Sequence, residues 1–154
     1  MRKILLALAA LLVSATAYPS SPHVEQIKSM FHNMVEEKKI ALMPRYYDIN
    51  FELYSNGKTM SYTQFVTMHE DVYKTDIQYD ISYDENAWVE NGDKLAGRVF
   101  ITTTKPGKPA KEIEVILIAQ YHNNKLYKLW ELTYPDWSSL KRFKSELTQL
   151  NPPQ

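Results

Sequence analysis

Apolar and polar residues alternate with a period of two from Glu112 to Tyr134, EIEVILIAQYHNNKLYKLWELTY. That period predicts two β-strands. Asn123-Asn124 between them reads as a two-residue hairpin turn, because Asn tolerates the positive φ such turns need. Uninterrupted pairing from this turn sets Tyr121 opposite Leu126, Leu117 opposite Trp130 and Val115 opposite Leu132. One face then carries Ile113, Val115, Leu117, Ala119, Tyr121, Leu126, Trp130, Leu132 and Tyr134, with Lys128 as its one charge, and is expected to be core. The other face carries Ile116, Ile118, Tyr127 and Leu129 among its polar residues. It is too apolar in its middle to lie bare in water.

Upstream, Val24, Ile27, Phe31, Met34 and Val35 share one face at helical spacing, predicting a helix from Val24 to about Lys38. Ile40 to Tyr47 reads as a second short helical segment containing Pro44, followed by an Asp-Ile-Asn connection. Phe51 to Tyr54 is a short strand, Asn56-Gly57 a strong hairpin signal, and Lys58 to Tyr62 the returning strand. Ser61 or Thr63 offers an N-cap for a helix ending near Lys74, with Tyr62, Phe65, Val66, Val72 and Tyr73 on its apolar side and His69 among them. Ile77 to Asp84 alternates as a half-buried strand and bends near Glu85-Asn86. After a turn at Asn91-Gly92-Asp93, Lys94 to Thr104 is the next strand. The Pro-rich KPGKPAK stretch, 105–111, reads as a loop. Trp137, Leu140, Phe143, Leu147 and Leu150 mark the apolar stripe of a last helix, stopped by Asn151-Pro152-Pro153. Helices ahead of an antiparallel meander imply an α+β domain.

The first 17 residues stand apart from this domain. Arg2-Lys3, the apolar run Ile4 to Val13 and the Ala15-Thr16-Ala17 site make a signal peptide cut after Ala17. That run is shorter than the about 20 apolar residues a membrane span needs. A linker over 18–23 and one domain over 24–150 complete the organisation. The expected location is therefore outside the cell or in the periplasm, with no membrane span after cleavage. Removing Arg2 and Lys3 from 18 basic and 18 acidic residues leaves a mature charge of about −2. Nothing in that balance suggests a nucleic-acid partner. There is no Cys, so neither disulfides nor Cys-metal sites arise. His23, His32, His69 and His122 fall on different elements without ligand spacing, and neither a metal nor a cofactor is expected.

Three local stretches carry a family resemblance: Arg45-Tyr46-Tyr47-Asp48 before Phe51; Asn56-Gly57 followed by Ser61-Tyr62-Thr63-Gln64-Phe65; and Asn124-Lys125-Leu126 leading to Leu129-Trp130-Glu131. With the order of elements from Val24 to Trp137, the chain resembles the nuclear transport factor 2-like superfamily, in particular its SnoaL-like branch. The resemblance implies a curved antiparallel sheet wrapped around N-terminal helices as a cone, here with a C-terminal helix added. It also implies a pocket at the open end and dimers through the outer sheet face, here Ile116, Ile118, Tyr127 and Leu129. Isomerase-type members place a carboxylate on the strand after the second helix and a Tyr on the first helix. Those places fall at Tyr54 and near Met30-Phe31, so a steroid-isomerase mechanism does not carry over.

His69 is the sharpest chemical candidate, an ionisable group in an apolar helix face and a potential general base. A core histidine bonded to a Tyr hydroxyl is the more economical reading. Eleven tyrosines suit an aromatic pocket for a flat or apolar ligand. The expected walls are Tyr46, Phe51, Tyr54, Phe65, His69, Tyr73, Leu117, Tyr121 and Trp130. The leading expectation is a homodimeric binder of a small apolar or aromatic molecule. An acid/base enzyme using His69, of isomerase, cyclase or dehydratase type, is the first alternative. A protein-interaction module acting through its outer sheet face is the second.

Overall fold

The computed structural model describes residues 21–136. The expected signal peptide, most of the expected linker and the helix expected over Trp137–Leu150 lie outside the described residues.

Ser21 caps the first helix, α1 (Pro22–Met30), by accepting from the Val24 amide at 3.3 Å, with Pro22 in its first turn. Pro22 and His23 are thus helix rather than linker. The chain continues as a π-helical segment, Phe31–Glu36. A 3-10 turn (Ile40–Leu42) and α2 (Met43–Tyr46) follow. Strand β1 (Tyr47–Ser55) begins where an Asp-Ile-Asn connection was expected. Asn56 and Gly57, both at positive φ, turn the chain into β2 (Lys58–Ser61). Ser61 and Gln64 form a capping box for α3 (Tyr62–Tyr73). The remaining strands are β3 (Gln78–Tyr83), β4 (Val89–Asn91), β5 (Lys94–Lys105), β6 (Lys108–His122) and β7 (Lys125–Tyr134).

The strands form one sheet in the order β2-β1-β7-β6-β5-β3, with β4 also paired to β5. All neighbours are antiparallel except β1 and β7, which run parallel. α1, the π-helical segment and α3 cover the inner face, where Ile27, Met34, Phe51, Leu95, Val99, Leu117 and Leu126 are almost fully buried. This is the curved α+β cone expected.

Two features depart from the strand expectations. Pro109 lies inside β6, not in a loop. It falls where the β5–β6 register shifts, between the Thr103–Lys111 and Lys105–Lys108 pairs. The β7 pairing begins only at Glu114, so this end of β6 has one neighbour and can accommodate a residue without an amide proton.

The second departure is a bulge. Tyr121 pairs with Leu126, but Gln120 pairs with Lys128, leaving Tyr127 as an extra residue. Beyond it, Leu117 opposes Glu131 and Val115 opposes Thr133, not Trp130 and Leu132. Because successive side chains alternate, one extra residue reverses the facing of the rest of the strand. Leu129 is 5% exposed, while Leu132 and Tyr134 are 67% and 79% exposed.

On β5, Gly97 leaves room for the Trp88 ring. A Cβ at this position would stand 2.1 Å from Trp88 Cζ3. Gly97→Ala is expected to displace Trp88 and destabilise the fold by about 1–3 kcal/mol in denaturant titration. In Trp88→Ala the same substitution should be nearly neutral, and additive costs would show that the ring contact is not responsible.

Candidate functional site

A cavity of about 150 Å³, partly open to solvent, lies between the helices and the inner face of the sheet. Met30, Phe31, Met34 and Val35 come from α1 and the π-helical segment, and Phe65, Met68, His69, Val72 and Tyr73 from α3. The sheet contributes Tyr47, Leu53, Tyr79, Ile101, Thr103, Ile113, Val115, Leu129, Glu131 and Thr133. The helical side is legible in the periodicity of both helices. β5, β6 and β7 supply alternate residues.

Of the nine wall residues expected from sequence, Phe65, His69 and Tyr73 line this cavity. Four others are buried beside it in the core. Tyr46 shares its hydroxyl with Ser29 and Asn33 at 2.9 and 3.0 Å. Phe51 packs edge-on against Tyr47 and Phe65. Leu117 is buried under the sheet, and Tyr121 stacks on His23 with ring centroids 4.1 Å apart. Tyr54 and Trp130 are on the other side of the sheet, stacked on each other at 5.7 Å. The bulge moves Trp130 there, and Tyr54 follows as its register partner on β1. Lys128, expected inside, faces out as well and pairs with Glu52 at 3.5 Å.

The same reversal corrects the outer face. Ile116 and Ile118 are 48% and 46% exposed, and Tyr127 is half-buried. Leu129 is not part of this face, because it is buried and lines the cavity. Trp130, Leu132 and Tyr134 take its place. Ile116 pairs with Leu132 and Ile118 with Trp130, which makes the apolar surface continuous across two strands.

Glu131 and Thr133 enter the wall for the same reason, and uninterrupted alternation hid both. The readable hint was the three-residue spacing of Leu126 and Leu129, which a regular strand cannot bury together.

His69 is half-buried, with Phe65 and Tyr73 one helical turn to either side at centroid distances of 4.1 and 5.2 Å. Its Nδ1 lies 2.8 Å from the Phe65 carbonyl. A carbonyl only accepts, so Nδ1 carries the proton and Nε2 keeps its lone pair. The partner is thus backbone, not a Tyr hydroxyl. Burial pushes the imidazole down to about 4, partly opposed by the Phe65 bond. Burial also pushes the Tyr73 phenol up, with a smaller contribution from Tyr79. The Tyr47 phenol is raised by burial and then by Tyr73 and Glu131, which brings these polar ends into one electrostatic neighbourhood. Among the described residues, no three His, Asp or Glu side chains gather as a metal site. No described helix is long and apolar enough to cross a membrane.

No protein-family model and no curated protein matches the chain. Solved structures do. PrhC from Penicillium brasilianum is 14% identical with a TM-score of 0.61, over 82% of this chain and 90% of that one. A candidate polyketide cyclase from Acidithiobacillus ferrooxidans is 15% identical with a TM-score of 0.61, over 81% and 98%. A candidate SnoaL-like polyketide cyclase from Shewanella denitrificans is 13% identical with a TM-score of 0.59, over 79% and 98%. The chain has the SnoaL-like, nuclear transport factor 2-like fold.

The His69 environment has a pH signature. Its folded pKa of about 4 lies below the ordinary 6.5, so the unfolded chain takes up this proton first as pH falls. The His69 contribution is full above about pH 6.5, declines towards about pH 4 and is flat below, amounting to at most about 3 kcal/mol. His69→Gln, measured by denaturant titration across that range, should lose less stability on acidification than the wild type. Identical pH slopes would remove His69 as the source.

Proposed function

We propose that this chain is an exported binder of a small apolar or aromatic molecule, held in the cavity between α3 and the sheet. The observation that carries this reading is the wall itself: mostly apolar and aromatic, with the polar ends of His69, Tyr73, Tyr47 and Glu131 on it. Sites for small organic molecules have this composition, area from apolar side chains and orientation from a few polar atoms. The neighbours described as polyketide cyclases use the same fold, and that likeness supports a pocket without naming a ligand. Export rests on the signal-like first 17 residues.

An acid/base enzyme is the second reading, favoured by Glu131 standing on the same wall as His69. Neutral Nε2 has the lone pair a general base needs, but a conjugate acid near 4 makes it a weak one. Binding therefore ranks ahead of catalysis. The outer face supports a homodimer, since Ile116, Ile118, Trp130, Leu132 and Tyr134 form an apolar surface larger than scattered exposed residues make.

Native mass spectrometry on the chain from Tyr18 onward, purified gently from its own compartment, tests ligand and dimer together. A dimer carrying a discrete added mass is expected. Val115→Phe places a ring in the cavity and should abolish the added mass while the dimer remains. Ile116→Lys should give monomers that keep it. An added mass that survives Val115→Phe would put the ligand elsewhere, and a dimeric Ile116→Lys would put the interface elsewhere.

A further inference from the structure

The outer face of the sheet carries one apolar patch. Strand pairing sets Val89, Ala96, Ile118, Trp130 and Tyr54 in a single row across five strands. Ile116 and Leu132 form the next row, and Tyr134 stands two residues further along β7. Val89 is 65% exposed, and Leu132 and Tyr134 more so. A polar row of Asn91, Lys94, Gln120, Lys128 and Glu52 bounds the patch on one side. α1, the π-helical segment and α3 lie on the opposite face, so among the described residues this is the uncovered side of the sheet.

The same chain has an apolar stripe in need of a surface. Trp137, Leu140, Phe143, Leu147 and Leu150 recur at helical spacing, with Lys141, Arg142, Lys144 and Glu146 off the stripe. An amphipathic helix in a layered domain buries such a stripe against a sheet or another helix. Pro135 and Asp136 are the whole connection from Tyr134. Joints of about two to six residues are usual between a strand and a helix packed on its own sheet. Asp136 is also tied down, because Asn56 Nδ2 donates to its Oδ1 at 2.9 Å. The stripe therefore starts at the edge of the patch.

Size and tethering favour this occupant over a free one. The five-strand row is about 19 Å across, and Tyr134 to Trp130 is about 14 Å along β7. A helix over 137–150 would be about 20 Å long and about 10 Å wide. A short connection holds the stripe near the patch at an effective concentration on the order of millimolar, whereas a second copy arrives from solution.

We propose that the 137–150 segment packs its apolar stripe on the outer face of its own chain, over Ile116, Ile118, Trp130, Leu132 and Tyr134, and must be displaced before a second copy docks there. This goes beyond the binding reading and adds a restraint to the dimer. A segment docked for about nine-tenths of the time leaves each face open for one-tenth. Both faces must open, so the dimer is weakened about 100-fold.

The chain has no Cys, so Lys144→Cys in the chain from Tyr18 onward gives a single site for a nitroxide label. In an isotope-labelled, spin-labelled chain diluted into excess unlabelled chain, the amide resonances of Ile116, Ile118 and Leu132 are expected to broaden. They should stay sharp when the isotope and the nitroxide are on different chains. Phe143→Ser with Leu147→Ser should abolish the broadening and, in sedimentation at graded concentrations, tighten the dimer at least tenfold. No broadening, broadening only between chains, or a weaker dimer in the serine variant overturns the proposal. Monomers in both variants, with broadening within the chain, uphold the cover and remove the dimer reading. A dimer without that broadening does the reverse.

Discussion

Every side chain beyond an extra residue in a β-ladder changes face, and Tyr127 is such a residue. The rest of the molecule depends on that reversal. Without it, Trp130, Leu132 and Tyr134 would fill the space between sheet and helices, and Glu131 and Thr133 would lie in water. With it, the inner wall gains a carboxylate and a hydroxyl, and the outer face gains three large apolar side chains. β1 accommodates the change by breaking its own register at the same level, between the Tyr47–Leu126 and Glu52–Lys128 pairs. One local irregularity thus sets the polarity of the cavity and the stickiness of the opposite surface.

The turns and helices were legible because their chemistry is local. Asn123, Asn124 and Asn56 adopt the positive φ their side chains tolerate, and Gly57 the positive φ that the lack of a Cβ permits. Ser61 and Gln64 close a capping box that can be read from three residues' separation. The alternation of Tyr79, Ile81 and Tyr83 along β3 is kept, because that strand has a wet face and an uninterrupted ladder, and Ile77 is buried just ahead of it. The site was legible where it sits on helices, whose 3.6-residue period put Phe31, Met34 and Val35 on one face and Phe65, His69 and Tyr73 on another. Its sheet half was not. β7 has apolar residues at both parities, so hydrophobicity could not choose its face, and the bulge decided the question. Pro109 was misplaced for a related reason: whether a strand tolerates proline depends on which flank is paired, and that is set by the length of another strand.

The outer face and the cavity are linked by the same accounting. Burying Trp130 and Leu132 inside would favour the isolated fold, since a fully buried large apolar side chain contributes about 1.5–3 kcal/mol. The chain instead exposes Leu132 and leaves Trp130 stacked on Tyr54 at the surface. A departure from the most stabilising pattern is expected where function imposes it. Two such departures are present: polar side chains stand on the cavity wall, and large apolar ones on the outer face.

The setting of His69 favours accepting a hydrogen bond over taking up a proton. A histidine that works as a base near neutral pH needs something to stabilise the imidazolium after proton transfer, usually a carboxylate on the second nitrogen. The second nitrogen of His69 meets a backbone carbonyl instead, and that neutral dipole offsets only part of the cost of burial. Proton uptake by His69 therefore carries the cost of burying a charge, whereas accepting a hydrogen bond requires no charge to form. The carbonyl fixes the tautomer, the flanking Phe65 and Tyr73 rings hold the plane, and the lone pair stays available. These are the properties of a preorganised acceptor, and they explain why an ionisable residue is tolerated in an otherwise apolar helix face.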